Sequence, residues 1–173
     1  MTVIRVFFAL VCIAFLPVLL ADDAVVEYKV RAGYLYNFTK FITWTVDNSK
    51  TFNLCVLGDD PFAELIDPIE KLSVMERVIK VFRFDSFKSM DKQPHCHILY
   101  ISSSIKEGLH LRNFNDTLVV GESEQFIDQG GMIGFVNRQG KIKLQINLEM
   151  ITRSGLKISA KLLEVADVVK GAE

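Results

Sequence analysis

The residue types that do chemistry fall in five places along the chain. Asp59 and Asp60 follow an apolar run that closes on Gly58. Paired acids at the end of a first strand can hold magnesium beside an aspartate that accepts phosphate. Here the later strand ends Tyr100-Ile101-Ser102-Ser103-Ser104, with no aspartate for that role. Asp60 followed by Pro61 instead fits a cap and the first turn of a helix. His95-Cys96-His97 sets two imidazoles at strand period around a thiol, a start on a zinc site. Zinc takes three or four ligands and the one other histidine is His110, so surface histidines at a strand start are the plainer reading. Ser103 and Lys106 have the Ser-x-x-Lys spacing of an activated serine, without the Ser-Asp-Asn and Lys-Thr-Gly motifs that accompany it in penicillin-binding enzymes. Gly130-Gly131 lacks the spacing of a phosphate loop and reads as a turn before a strand. These constellations do not make an enzyme, and no metal or cofactor is expected.

The fifth place is the pair Cys55 and Cys96, each on an apolar stretch that reads as a strand. Their compartment decides their chemistry. Residues 1–21 have the order of an export leader: Arg5, an uncharged run over 6–20, then Ala21 before Asp22 and Asp23. That run, about fifteen residues, is short of the roughly 20 that a spanning helix needs. Cys12 leaves with the leader, and removing 21 of 173 residues leaves 152 as one domain, residues 22–173. In an oxidising compartment two cysteines on neighbouring strands commonly join; two free buried thiols acting as small hydrophobes are the alternative. Loss of Arg5 moves the net charge from −1 to −2, which gives no electrostatic reason to bind nucleic acid.

The elements that must position these residues alternate. Val26, Val30, Tyr34, Phe38 and Phe41 step by three or four, which predicts an amphipathic helix over residues 23–44 capped by Asp22 or Asp23. Strands are predicted at residues 52–58, 78–84, 97–102 and 117–121, with helices after residue 60 and around 105–111 and 122–128. Continuous apolar strands between helices predict a single three-layer α/β domain, its sheet mostly parallel with helices on both faces. A hairpin follows, turning at Asn137-Arg138-Gln139-Gly140 into a half-solvated strand whose lysines discourage edge pairing. Helices over 147–153 and 159–169, parted by Gly155, close the chain.

Tyr34-Leu35-Tyr36-Asn37-Phe38-Thr39-Lys40-Phe41, the run from Cys55 to Phe62, the run from Cys96 to Ile101, Gly130-Gly131-Met132-Ile133-Gly134-Phe135, and Ile146-Asn147-Leu148 with the run from Gly155 to Leu163 stand in this order. Together they resemble the YfiR family of small periplasmic proteins from about residue 28 to 169. The resemblance implies a compact α/β domain, often a homodimer, exported in Gram-negative bacteria. It implies a repressor that binds the periplasmic part of an inner-membrane diguanylate cyclase, is relieved by envelope stress or redox change, and restrains cyclic di-GMP and biofilm growth. Some relatives serve other sensors such as histidine kinases. Cys55 and Cys96 match family cysteines; a second disulfide of the family has no counterpart, because residues 121–162 contain no cysteine.

Such a repressor needs a surface rather than a catalytic group. Tyr34, Asn37 and Lys40 lie a turn apart on the first helix and offer a polar patch, unless Asn37 is a buried amide. Leu162, Val165 and Val169 are more apolar surface than one buried stripe requires, so part of the last helix is expected to meet a partner or a second copy. The rival reading is a small-molecule receptor with a pocket at the carboxyl ends of the strands, lined by Asp59, Asp60, Ser102 and Ser103.

Overall fold

The computed structural model describes residues 18–45, 48–91, 94–106 and 114–170. Chain order opens with helix α1 (Val18–Phe41) and the short strand β1 (Ile42–Thr43). Eight strands form one sheet in the order β10-β8-β7-β6-β5-β2-β4-β3. They are β2 (Phe52–Leu57), β3 (Ser73–Val74), β4 (Arg77–Phe84), β5 (Ile98–Ile101), β6 (Leu118–Glu122), β7 (Ile133–Arg138), β8 (Lys141–Asn147) and β10 (Val168–Lys170). The neighbours β4, β2, β5, β6 and β7 are all parallel. β7–β8 is antiparallel and β10 runs parallel to β8. This is the mostly parallel α/β domain that the alternation predicts. Strands β2 and β5 are buried at every position, which is why β5 is an unbroken apolar run and β2 is interrupted only by Asn53.

Register places Val56, Tyr100, Val120 and Ile133 side by side on one face. α1 covers this face: Phe38 stacks on Phe135 with ring centroids 6.0 Å apart, and Tyr34 leans on the same ring. The other face carries Cys55, Leu99 and Val119 in register. Its described cover is thinner. It includes the one-turn helix α3 (Phe87–Met90), which follows α2 (Asp67–Glu70), and side chains from irregular segments, among them Phe126 and Ile127. A Cβ on Gly121 or Gly131 would enter the Phe126 ring, and at Gly131 it would also come within 2.7 Å of the Phe126 carbonyl oxygen. Backbone cannot yield as a side chain does. Gly131→Ala is therefore expected to cost about 1–3 kcal/mol, read as a lower urea midpoint at unchanged slope.

Several elements differ from the sequence reading. α1 runs without a break through Asp22 and Asp23, so neither caps it. Its buried stripe is Arg31, Ala32, Leu35 and Phe38, while Val26 and Val30 are exposed. Residues after Asp60 do not start an α-helix directly: a 3₁₀ turn (Ala63–Ile66) precedes α2. The helix predicted over 122–128 is absent. Glu122 ends β6, and successive tight turns from Ser123 to Gly131 wrap Phe126 onto the two glycines. The helix predicted around 105–111 falls mostly outside the described residues; Ile105 and Lys106 are irregular.

The last predicted helix is the largest departure. Helix α4 (Leu148–Arg153) forms as predicted, with the Asn147 side chain accepting from the Met150 N–H. Strand β9 (Lys157–Ile158) then pairs with β1, and helix α5 spans only Ala160–Glu164. The β-branched pair Val168-Val169 enters β10 against residues 145–147 of β8. β8 is therefore not an edge at that end, and its lysines guard only the first half. Its hairpin turn holds Gln139 and Gly140 at φ +55° and +75°, the type I′ geometry that matches strand twist.

Candidate functional site

Cys55 and Cys96 are joined. Their Cα atoms lie 5.8 Å apart across 41 residues of sequence. Cys55 sits at 0 % exposure within β2, whereas Cys96 lies just before β5 rather than on it. A ring of hydrogen bonds fixes that pre-strand segment. The Thr117 hydroxyl donates to the Cys96 carbonyl at 2.8 Å, and the Asn53 amide donates to the His95 carbonyl at 2.7 Å. The Trp44 indole donates to the His97 carbonyl at 2.9 Å.

His97 is not a surface histidine. It is buried, stacks on Phe52 with centroids 4.5 Å apart, and its Nδ1 accepts the Asn53 backbone N–H at 2.9 Å. The other ring nitrogen, Nε2, lies 3.3 Å from Arg77 Nη1. His95 is exposed and its Nε2 lies 3.2 Å from the Asp116 carbonyl. With Cys96 spent in the disulfide, His95-Cys96-His97 is a brace; among the described residues no three His, Cys, Asp or Glu side chains group to hold a metal. His110 lies outside the described residues.

At the carboxyl ends of the strands, side chains of the chain itself line the crevice beside Gly58. Gly58, at φ +89°, would meet Ser104 Oγ at 2.5 Å and Ile105 at 2.9 Å if it carried a Cβ. The Asp59 N–H donates to Ser104 Oγ at 2.9 Å, and that hydroxyl bonds Ser102 Oγ at 3.3 Å. Asp60 accepts the Phe62 N–H at 2.8 Å and Arg83 Nε at 2.6 Å. Lys106 Nζ reaches the Ser103 carbonyl at 2.6 Å, not its hydroxyl, so the Ser-x-x-Lys spacing closes a turn.

Beside this crevice lies a cluster that the motif reading passed over. Arg31 of α1 is buried and pairs with Glu27, one turn back, and with Glu122 at the end of β6. The Tyr28 hydroxyl donates to the same Glu122 oxygen at 3.0 Å, and the Asn137 amide donates to Glu27 at 3.0 Å. Arg31 also lies 4.8 Å from the Tyr28 ring centre. Among the described residues Arg31 Nε and the Tyr100 hydroxyl are buried outside well-formed hydrogen bonds, with the Arg31 guanidinium acting on the phenol electrostatically. Burial pushes the Tyr100 phenol far above its ordinary range, so it stays neutral. The sequence signal was the Glu27–Arg31 spacing of four, which alone does not distinguish a solvated pair from a buried one.

The surface residues divide. Tyr34 is half-buried against Phe38 and Phe135. Asn37 is exposed rather than a buried amide and accepts from Lys40 Nζ at 3.1 Å. Lys40 also rides 4.6 Å from the Tyr36 ring centre. Leu162 is buried, Val165 is exposed, and the Val169 side chain lies outside the described residues. Among the described residues no helix is long and apolar enough to cross a membrane.

A mostly parallel sheet, roofed by one long helix and braced by a disulfide between its second strand and the approach to its fifth, defines a small α/β domain with its polar clusters committed to structure. The YfiR/HmsC-like family model matches residues 28–167, and the chain belongs to that family. No individually curated protein matches the sequence significantly.

Proposed function

We propose that the protein is a periplasmic regulatory binding protein, exported by residues 1–21, that represses an inner-membrane diguanylate cyclase and so restrains cyclic di-GMP and biofilm growth. The observation that carries this reading is membership of the YfiR/HmsC-like family over residues 28–167. The disulfide supports it, because such bonds persist in oxidising compartments. Asp60, Ser102, Ser104 and His97 are engaged in caps, turns and braces, which suits a protein that acts by binding.

Repression needs only unequal affinity for two states of the partner. A preference of about 3 kcal/mol shifts a two-state population more than a hundredfold. The exposed polar pair Asn37 and Lys40 on α1 and the exposed Val165 after α5 are the surfaces proposed to meet the cyclase or a second copy. The absence of any cysteine from residues 121–162 leaves Cys55–Cys96 as the bond through which a redox response would act.

Cellular cyclic di-GMP measured in a clean deletion tests the reading. The level is expected to rise severalfold, to fall to baseline when the wild-type gene is restored, and to stay high when the restored gene lacks residues 1–21. An unchanged level under several growth conditions would remove the cyclase and redirect the search to a sensor kinase.

A further inference from the structure

A cleft of about 210 Å³ lies on the disulfide face at the end of β5 and β6 opposite the Gly58 crevice. We infer that this cleft is a binding site for a small uncharged aromatic molecule that carries a hydrogen-bond donor, of the phenol class. The inference does not depend on the cyclase reading.

Five apolar side chains shape the cleft: Phe87 and Met90 of α3, Pro94, Leu99 of β5, and Phe114. The two phenyl rings stand 6.4 Å apart and tilted by 39°. Met90 adds a thioether and Cys96 a disulfide sulfur, and sulfur beside aromatic rings favours a flat aromatic guest. Size sets the next limit. A dry apolar cavity of about 150 Å³ is known to hold benzene, so this cleft has room for one ring and a substituent.

The polar lining fixes the character of that substituent. The Thr117 hydroxyl is committed to the Cys96 carbonyl at 2.8 Å. His95 Nε2 lies 3.2 Å from the Asp116 carbonyl; a carbonyl can only accept, so that nitrogen is the donor and Nδ1 is left as an acceptor. Asp91 adds a carboxylate, a second acceptor. Two acceptors beside these apolar side chains call for a guest that donates. The same carboxylate repels an anion, so a phenol is favoured over a benzoate of equal ring size.

p-Cresol titrated into the mature, disulfide-bonded chain tests this by calorimetry and by amide chemical shifts. Saturable binding is expected with a Kd on the order of 0.1–1 mM, the range open to a ligand of this size. The shifts should centre on Cys96, Leu99 and Thr117, and benzoate should bind at least about tenfold more weakly. Met90→Trp, which fills the cleft, is expected to abolish binding. His95→Ala, at an exposed position, should weaken p-cresol severalfold and leave toluene unaffected. Failure of p-cresol to saturate, equal affinity for benzoate, or identical p-cresol affinity in the histidine variant would each overturn the assignment.

Discussion

Removal of the Cys55–Cys96 bond is expected to lower the stability of the folded chain by about 4 kcal/mol. The bond joins two regions that the native sheet already holds together, since β2 and β5 are direct neighbours. Its contribution in the chain-entropy account comes from the unfolded state, where it closes a loop 41 residues long. Cys55→Ala/Cys96→Ala keeps the buried site apolar and so isolates the cross-link. Cys55→Ser adds a hydroxyl at a fully buried position and should cost about 1–3 kcal/mol more. Urea unfolding of the oxidised wild type, the double alanine variant and the serine variant gives the three values. For a domain of this length the alanine pair should melt roughly 10 °C lower. A loss below about 1 kcal/mol would mean that the unfolded chain is already compact around these strands, and the entropic account would fail.

The parts of the fold that were legible in sequence are those where burial acts on both sides of an element. β2 and β5 have no solvent face, so their composition alone marks them; Cys55 falls on β2 as read, while Cys96 lies just before β5. The hairpin was equally readable, because Gly140 and the alternation after it report turn and pleat together. Where one residue serves two structural demands, the pattern misled. Val165, Val168 and Val169 fit helical spacing, yet β-branching and the open half of β8 took the last two into a strand. The stretch 122–128 reads as a helix by apolar spacing, but Phe126 has to reach Gly121 and Gly131 at once, and only tight turns allow that.

The candidate sites were less legible than the fold, for a related reason. Their residue types were visible and their partners were not. His97 looks like a surface histidine until the stacking on Phe52 and the Asn53 N–H are known, because both partners come from a strand some 44 residues earlier. The cleft is lined by α3, by the approach to β5 and by Phe114, and no sequence period links those segments. Arg31 was read past because a charged residue breaks an apolar stripe. Burial of a charge becomes tolerable only when the counter-charges arrive from elsewhere, and Glu122 lies 91 residues away.

That cluster yields the second large effect. Arg31→Met is expected to destabilise the domain by about 3–5 kcal/mol, because it leaves Glu122 largely buried with its counter-ion gone. The methionine keeps most of the stem that packs beneath α1, so lost contact area is a small part of this. Adding Glu122→Leu removes the stranded carboxylate and should restore most of the loss, bringing the double variant to within about 1–2 kcal/mol of wild type. Recovery would not be complete, since Tyr28 and Glu27 each lose a partner. Equal losses in the single and double variants would instead show that Arg31 acts through packing. The distinction bears on regulation, because α1 also carries Asn37 and Lys40. A pair that contributes little net stability but whose breakage is expensive holds the helix in one register on the sheet. A partner that reads α1 would then meet a surface set by a buried charge pair, and hydrogen exchange along the helix in Arg31→Met should rise well beyond that in the double variant.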